Sequence, residues 1–368
     1  MKTLHDPSNS ISKTLVQWKK AQAIISLSID EMLKKAAGKR IISEQKVDGQ
    51  SALLRYQKGE ESKFGSLDGV IYWELPVLEE IDKILKSKNI SQALIVGEMA
   101  GYDKGKIIPF NESESIIKNS KADKTKLHWF PYQIIELNGE KIPTDNFEAY
   151  MKFWPKIKEI FSSATYVHPV KDYIGGLDQI KKSWDKLVLK DKNEGIVVRT
   201  SDNKVYKAKP TFTYDLVILA VGSKSGKNWP KKQIGMTLMA FMDKDGNFRT
   251  AGHIGTGWSR AESQDLYSWA QKNKVDEDDT YVWVKPDRIM EVQWERTSIK
   301  EMNSYKYSHG KYESVGKMMS GTIVKPRFIR YRTDKKVTPS DLRLTQVPDW
   351  SEKQKKANKI ASNYINLQ

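Results

Sequence analysis

Downstream of Pro210 the sequence changes texture, and that change constrains the fold more than any single motif does. Before it, runs with apolar residues at helical spacing are mixed with β-rich runs, without regular alternation. After it, short apolar runs (DLVILAVG, QIGMTLMAF, FRTAGHIG) follow one another, separated by turns rich in Gly, Lys and Asp. This is the pattern of a small β-barrel. A chain of 368 residues also exceeds what one hydrophobic core usually serves. The expectation is an α+β domain over 1–211, a barrel over 212–350, and a terminal helix or basic tail over 351–368.

Local signals fill in the first domain. The opening residues read as helices: Ser28 to Glu31 has the form of a capping box, and Gly38 is placed to end the helix it starts. A strand then leads to Lys46. Pro76 to Lys88 has helical spacing, whereas ALIVGEM (Ala93 to Met99) and HWFPYQIIEL (His128 to Leu137) are β-rich. Helices are expected around Phe147 to Phe161 and Gly176 to Leu189. EGIVVRT (Glu194 to Thr200) and KVYKAK (Lys204 to Lys209) read as a hairpin turning at Ser201-Asp202-Asn203.

Composition narrows the chemistry. The chain has no cysteine, which excludes disulfides, thiolate catalysis and cysteine-based zinc sites. Its five histidines show no metal-ligand spacing, so any metal must be held by oxygen. No long apolar run or leader-like start is visible, and the expectation is a monomeric cytoplasmic protein, or one in the host cytoplasm if viral. The net charge of +16 attracts polyanions, nucleic acid first among them, although basicity for solubility alone is the plain alternative.

Against this background one stretch stands out: EQKVDGQSALLRY, Glu44 to Tyr56. Lys-x-Asp-Gly alone is weak in a lysine-rich chain. It is followed, in order, by GEM at Gly97 to Met99, FPYQIIELNGE from Phe130, EGIVVR from Glu194, YKAK from Tyr206, and PRFIRYRTDK from Pro326. With these elements in this order the chain resembles the covalent nucleotidyltransferase superfamily, most closely the ATP-dependent DNA ligases with a minimal two-domain body. The resemblance runs from about Glu44 to Lys335. It implies a nucleotidyltransferase (adenylation) domain of antiparallel sheets with flanking helices, followed by an OB-fold barrel.

The resemblance implies that Lys46 is the nucleophile, forming lysyl-AMP from ATP. A lysine can attack phosphorus only when neutral, so its site must favour the uncharged amine. Glu44 is implied in nucleotide binding, Asp48 near the ribose and nucleophile, and Gly49 where the backbone turns beneath the nucleotide. Glu98 and Glu194 each border an apolar run, where a carboxylate needs a partner. The family reading gives them a divalent cation, Mg²⁺ with Mn²⁺ able to substitute, and an ordinary strand-end ion pair is the other reading. Tyr132 falls where an aromatic ring stacks on adenine, with Phe130 as the alternative. Lys207 and Lys209 alternate on one strand and share a face, which the resemblance gives to the α-phosphate; solvated lysines are the alternative. Arg332 and Lys335, in the series Arg330, Arg332, Asp334, Lys335, match an RxDK signature that orients the leaving pyrophosphate. GHIGTGWS, Gly252 to Ser259, is a further barrel signature of this family.

The implied partner is nicked duplex DNA. Arg55, Lys63 and four lysines of the Ser223–Lys232 loop (Lys224, Lys227, Lys231 and Lys232) are candidate contacts to its phosphates. The sequence departs from the family twice: Ser51 stands where an arginine is usual, which Arg55 either replaces or does not, and Lys63 stands where an arginine fork is expected. The implied function is sealing of 5′-phosphate/3′-hydroxyl nicks in DNA replication, repair or recombination. An RNA ligase or a capping-type nucleotidyltransferase is the alternative within the superfamily, and a non-catalytic nucleic-acid-binding protein the alternative outside it.

Overall fold

The computed structural model describes residues 1–222, 234–294, 296–347 and 350. The expected terminal helix or tail over 351–368 lies outside them. The chain divides into two compact units, Met1–Pro210 and Thr211–Gln368.

The first unit holds two sheets. One has the strand order Lys2–His5, Val70–Trp73, Lys63–Ser66, Gln50–Gln57, Gln92–Asp103, Leu127–Leu137, Glu140–Lys141, with Lys106–Ile107 attached to Gln92–Asp103. The chain therefore opens on a strand, not a helix: Lys2–His5 pairs antiparallel with Val70–Trp73. The second sheet runs Asp172–Gly175, Ile41–Lys46, Gly195–Thr200, Lys204–Ala208, Ile25–Ser26. Its last pair is parallel, so the sheet is mixed at one edge.

Local chemistry explains the helices. Ser28 and Glu31 form both halves of a capping box on Ile29–Ala36, and Gly38 follows with φ of 73°. Pro76 occupies the first turn of Pro76–Ser87, where its missing N–H is harmless. The helix Leu177–Ser183 continues as a wider π-helical stretch, Trp184–Lys190, which its apolar spacing does not reveal.

The second sheet packs its two faces differently, and this places the chemistry. On one face Ile41, Ile196, Val198, Tyr206 and Ala208 bury against Met32, Ala36, Ile180 and Leu187. Register puts Lys46 opposite Gly195, Glu44 opposite Val197, Ile42 opposite Arg199, and Val197 opposite Lys207. Paired residues share a side of a sheet, so Glu44, Lys46, Val197, Arg199 and Lys207 all project from the other face.

The second unit is built on a nine-stranded sheet in which Phe212–Gly222 is central, pairing with Met236–Met242, Tyr281–Val284 and Ile289–Trp294. Bulges near Ile218 and near Met239 bend it. The helix Arg260–Lys272 starts at a capping box made by Ser259 and Glu262. Its core gathers Tyr214, Phe241, Leu266, Trp294 and Phe328.

Candidate functional site

Lys46 ends an interior strand, hydrogen-bonded on one side to Asp172–Gly175 and on the other to Gly195–Thr200. Two glycines make room around it. A Cβ on Gly195 would lie 2.1 Å from the Ala208 carbonyl oxygen, and one on Gly49 would lie 2.7 Å from that of Met99. Gly49 does not adopt a positive φ. It is required because a neighbouring strand passes too close for a side chain, not because the chain turns in a way only glycine allows.

Four charged groups gather at the strand end. Glu194 accepts from Lys46 Nζ at 2.5 Å and from Lys209 Nζ at 2.6 Å. Burial pushes its carboxyl up, but Lys46 and Lys209 outweigh that and hold it below the usual range. Lys207, on the same face, makes no ion pair among the described residues. Its pKa is lowered by burial first and then by Lys46 and Lys209. A desolvated cation beside two others is a place for an anion.

Across from this sheet Glu98 accepts from the Ser51 hydroxyl at 2.9 Å and from the Tyr132 phenol. The position where an arginine is usual thus carries a donor to Glu98. Burial raises the Glu98 carboxyl to about 7, against the pull of Lys46 and Ser51. The fold therefore binds this proton more tightly than the unfolded chain does. The Glu98 contribution to stability falls as pH rises from about 5 to about 7 and levels off above. In metal-free protein Glu98→Gln is expected to flatten that segment of the melting-temperature profile, and a segment as steep as in wild type would contradict the assignment.

The donor set fits an oxygen-seeking divalent cation only in part. No three metal-binding side chains converge among the described residues. Glu98 and Glu194 could hold such an ion if phosphate oxygens and water completed its shell, the usual arrangement for Mg²⁺.

Glu44 differs from the expectation of a nucleotide-binding side chain. Both its oxygens are taken: Tyr150 donates to one, and Arg199 Nε donates to the other at 3.2 Å. Arg199 also donates to Gln22 at 2.8 Å and lies 4.2 Å over the Tyr150 ring, while the Tyr150 hydroxyl shares its one proton between Glu44 and the Tyr132 carbonyl, 2.6 Å away. This buried network ties the Lys46 strand to the strand carrying Tyr132. A cavity of about 330 Å³ lined by Gln22, Asn146, Tyr150, Arg199 and Asn203 adjoins it. Arg199→Leu would strand a buried carboxylate and is expected to cost about 3 kcal/mol. The check is the urea midpoint, and a shift below about 1 kcal/mol would contradict it.

The remaining sequence expectations separate. Tyr132 sits half-buried beside Glu98, 5.9 Å from the Trp18 ring. Phe130 is buried in the core, edge-on to Tyr102. Asp48 accepts the N–H of Phe110, the first residue of the helix Phe110–Lys118. Arg55 and Lys63 pair across neighbouring strands, and Arg55 is held by Glu60 at 2.8 Å. Arg55 lies four residues along the strand from Ser51, roughly 13 Å at strand rise, so it does not replace the missing arginine. Lys224, Lys227, Lys231 and Lys232 lie outside the described residues.

In the second unit Arg332 makes a two-pronged contact to Asp334 at 2.7 and 2.8 Å, and donates to Asp215 at 2.8 Å. Lys335 reaches Asp215 at 3.2 Å. Arg199, Tyr150, Gln22 and Asp215 were not singled out from sequence. Arg199 was findable, because a charge inside EGIVVR needs a partner, as Glu98 does in its own apolar run. Tyr150 carries no such signal, since it shares its helix's buried face with Phe147 and Trp154.

Two sheets flanked by helices, followed along the chain by a bulged nine-stranded sheet, are the architecture of a nucleotidyltransferase domain and an OB-fold domain. The family model for the ATP-dependent DNA ligase domain matches residues 20–211, and that for the ATP-dependent DNA ligase C-terminal region matches 230–335. The chain belongs to the ATP-dependent DNA ligase family. DNA ligase 1 of Methanosarcina acetivorans is 23% identical over 84% of this chain, and DNA ligase 1 of Methanosarcina barkeri 23% over 88%. The chain spans 57% and 64% of those relatives, less than two thirds of either. The solved structure named Pmar-Lig_PreS3 matches 88% of this chain at 17% identity with a TM-score of 0.59, a likeness of fold. No described helix is long and apolar enough to cross a membrane.

Proposed function

We propose that this protein seals 5′-phosphate/3′-hydroxyl nicks in duplex DNA, using ATP and carrying AMP on Lys46. The observation that carries the reading is the convergence of Lys46, Glu194, Lys207, Lys209 and Glu98 around one strand end.

In the first step the Lys46 nitrogen, having lost a proton, attacks the α-phosphorus of ATP. The N–P bond forms and the bond to the β-phosphate oxygen breaks, releasing pyrophosphate. Lys207 and Lys209 meet the charge that develops on the α-phosphate oxygens. Tyr132 supplies the ring for the base, with its phenol and Ser51 fixing Glu98. Mg²⁺ held with the help of Glu98 and Glu194 would offset phosphate charge. In the second step the DNA 5′-phosphate oxygen takes AMP from the lysine as the P–N bond breaks. In the third the 3′-hydroxyl oxygen attacks that phosphate and AMP leaves, a step governed by alignment and charge. Arg332 and Lys335 act on the pyrophosphate of the first step, and the +16 net charge serves the phosphate contacts to DNA.

The test is incubation with α-labelled ATP or GTP in Mg²⁺, followed by nicked duplex. Label retained from ATP alone and discharged as the nick closes is the expected result. Label from GTP alone would move the protein to the capping type, and label discharged only by nicked RNA would make it an RNA ligase. No label from either, in protein freed of bound AMP, would leave a binding protein.

A further inference from the structure

Asp215 lies on the Phe212–Gly222 strand opposite Glu291, which is in turn opposite Arg330. Three cations and four carboxylates meet here. Arg330 pairs with Glu291 at 2.7 Å, Arg332 with Asp215 and Asp334, and Lys335 with Asp215 at 3.2 Å and Asp341 at 3.8 Å. The group therefore carries no positive surplus to offer a phosphate. Asp215 is the buried member, 8% exposed, and among the described residues the one carboxylate that touches both Arg332 and Lys335. Its backbone is pinned by Gln346, whose side-chain oxygen accepts the Asp215 N–H at 3.0 Å.

Resting on the proposed function, in which Arg332 and Lys335 act on pyrophosphate, we propose that Asp215 is an internal competitor of that pyrophosphate. Its carboxylate occupies the anion position between the two cations, must yield to the diphosphate, and takes the cations back once the diphosphate departs. Asp215 is thus a positioning residue that favours product release and opposes reversal of the first step. In that reversal a pyrophosphate oxygen attacks the phosphorus of lysyl-AMP, the P–N bond breaks, ATP forms, and the lysine nitrogen takes up a proton.

The test uses the full chain, loaded with labelled AMP and titrated with inorganic pyrophosphate in Mg²⁺, comparing wild type with Asp215→Asn. The amide keeps the shape and one acceptor but removes the charge. Half-maximal release of label as ATP is expected at about threefold to tenfold lower pyrophosphate in the variant, the scale of one charge contact near a protein surface. A merely structural role cannot produce tighter pyrophosphate binding. An unchanged or higher requirement overturns the proposal. Should D215N not fold, Asp341→Asn reads the same competition from the more distant carboxylate; a lower requirement supports the proposal and none overturns it. Wild type that takes no label from ATP would instead fail the nick-sealing reading.

Discussion

Lys46→Ala protein, given α-labelled ATP, is expected to acquire at least about 10³-fold less covalent label than wild type, and to lose sealing of ordinary nicks in proportion. Sealing of a nick whose 5′-phosphate already carries AMP should survive in the same preparation, reduced but measurable. The third step needs no nucleophile from the protein, only alignment and charge. If K46A fails on both substrates while its melting temperature matches wild type, Lys46 is more than a carrier of AMP. If it labels normally, another residue is the nucleophile. Lys209 is the first to examine, because it shares Glu194 with Lys46.

Lys207→Met should lower single-turnover label transfer by about 10²-fold while making the protein more stable at pH 7. The two effects share one cause. Burial, with Lys46 and Lys209 alongside, lowers the Lys207 pKa, so below that pKa the ammonium opposes folding. That penalty is relieved as pH rises through the lowered value toward the ordinary 10.5. The melting advantage of K207M should accordingly shrink between neutral pH and pH 10.5, and a loss of stability at pH 7 would contradict the reading. A substitution that stabilises while disabling is the expected mark of a charge kept for its ligand.

How far the sequence could be read depended on whether the decisive interaction was local. Ser28 with Glu31, Pro76 and the Glu194–Lys209 hairpin are settled within a few residues of chain, and the structure shows each as read. Lys207 and Lys209 share a face because strand period alone requires it. Arg260–Lys272 is not among the helices expected from sequence, although Ser259 and Glu262 announce its start. The long hairpin of Arg296–Ser308 and Lys311–Val324 is too polar on its exposed rungs to show a clear alternation. The destinations of Glu44 and Asp215 were beyond reach for a different reason. Their partners are 155 and 117 residues away, and only the folded register brings them together.

The strand that ends at Lys46 has a neighbour hydrogen-bonded along each edge, and the glycine facing the lysine is itself seated tightly against the Ala208 carbonyl on its other side. The strand end that carries the lysine is therefore the stationary point of the proposed cycle, and its nitrogen moves only as far as the side chain reaches. A triphosphate must come to it, a diphosphate must depart, and a DNA end must then find it unmoved. Errors of order are prevented by what is allowed to approach that nitrogen, and timing in such a device belongs to its visitors.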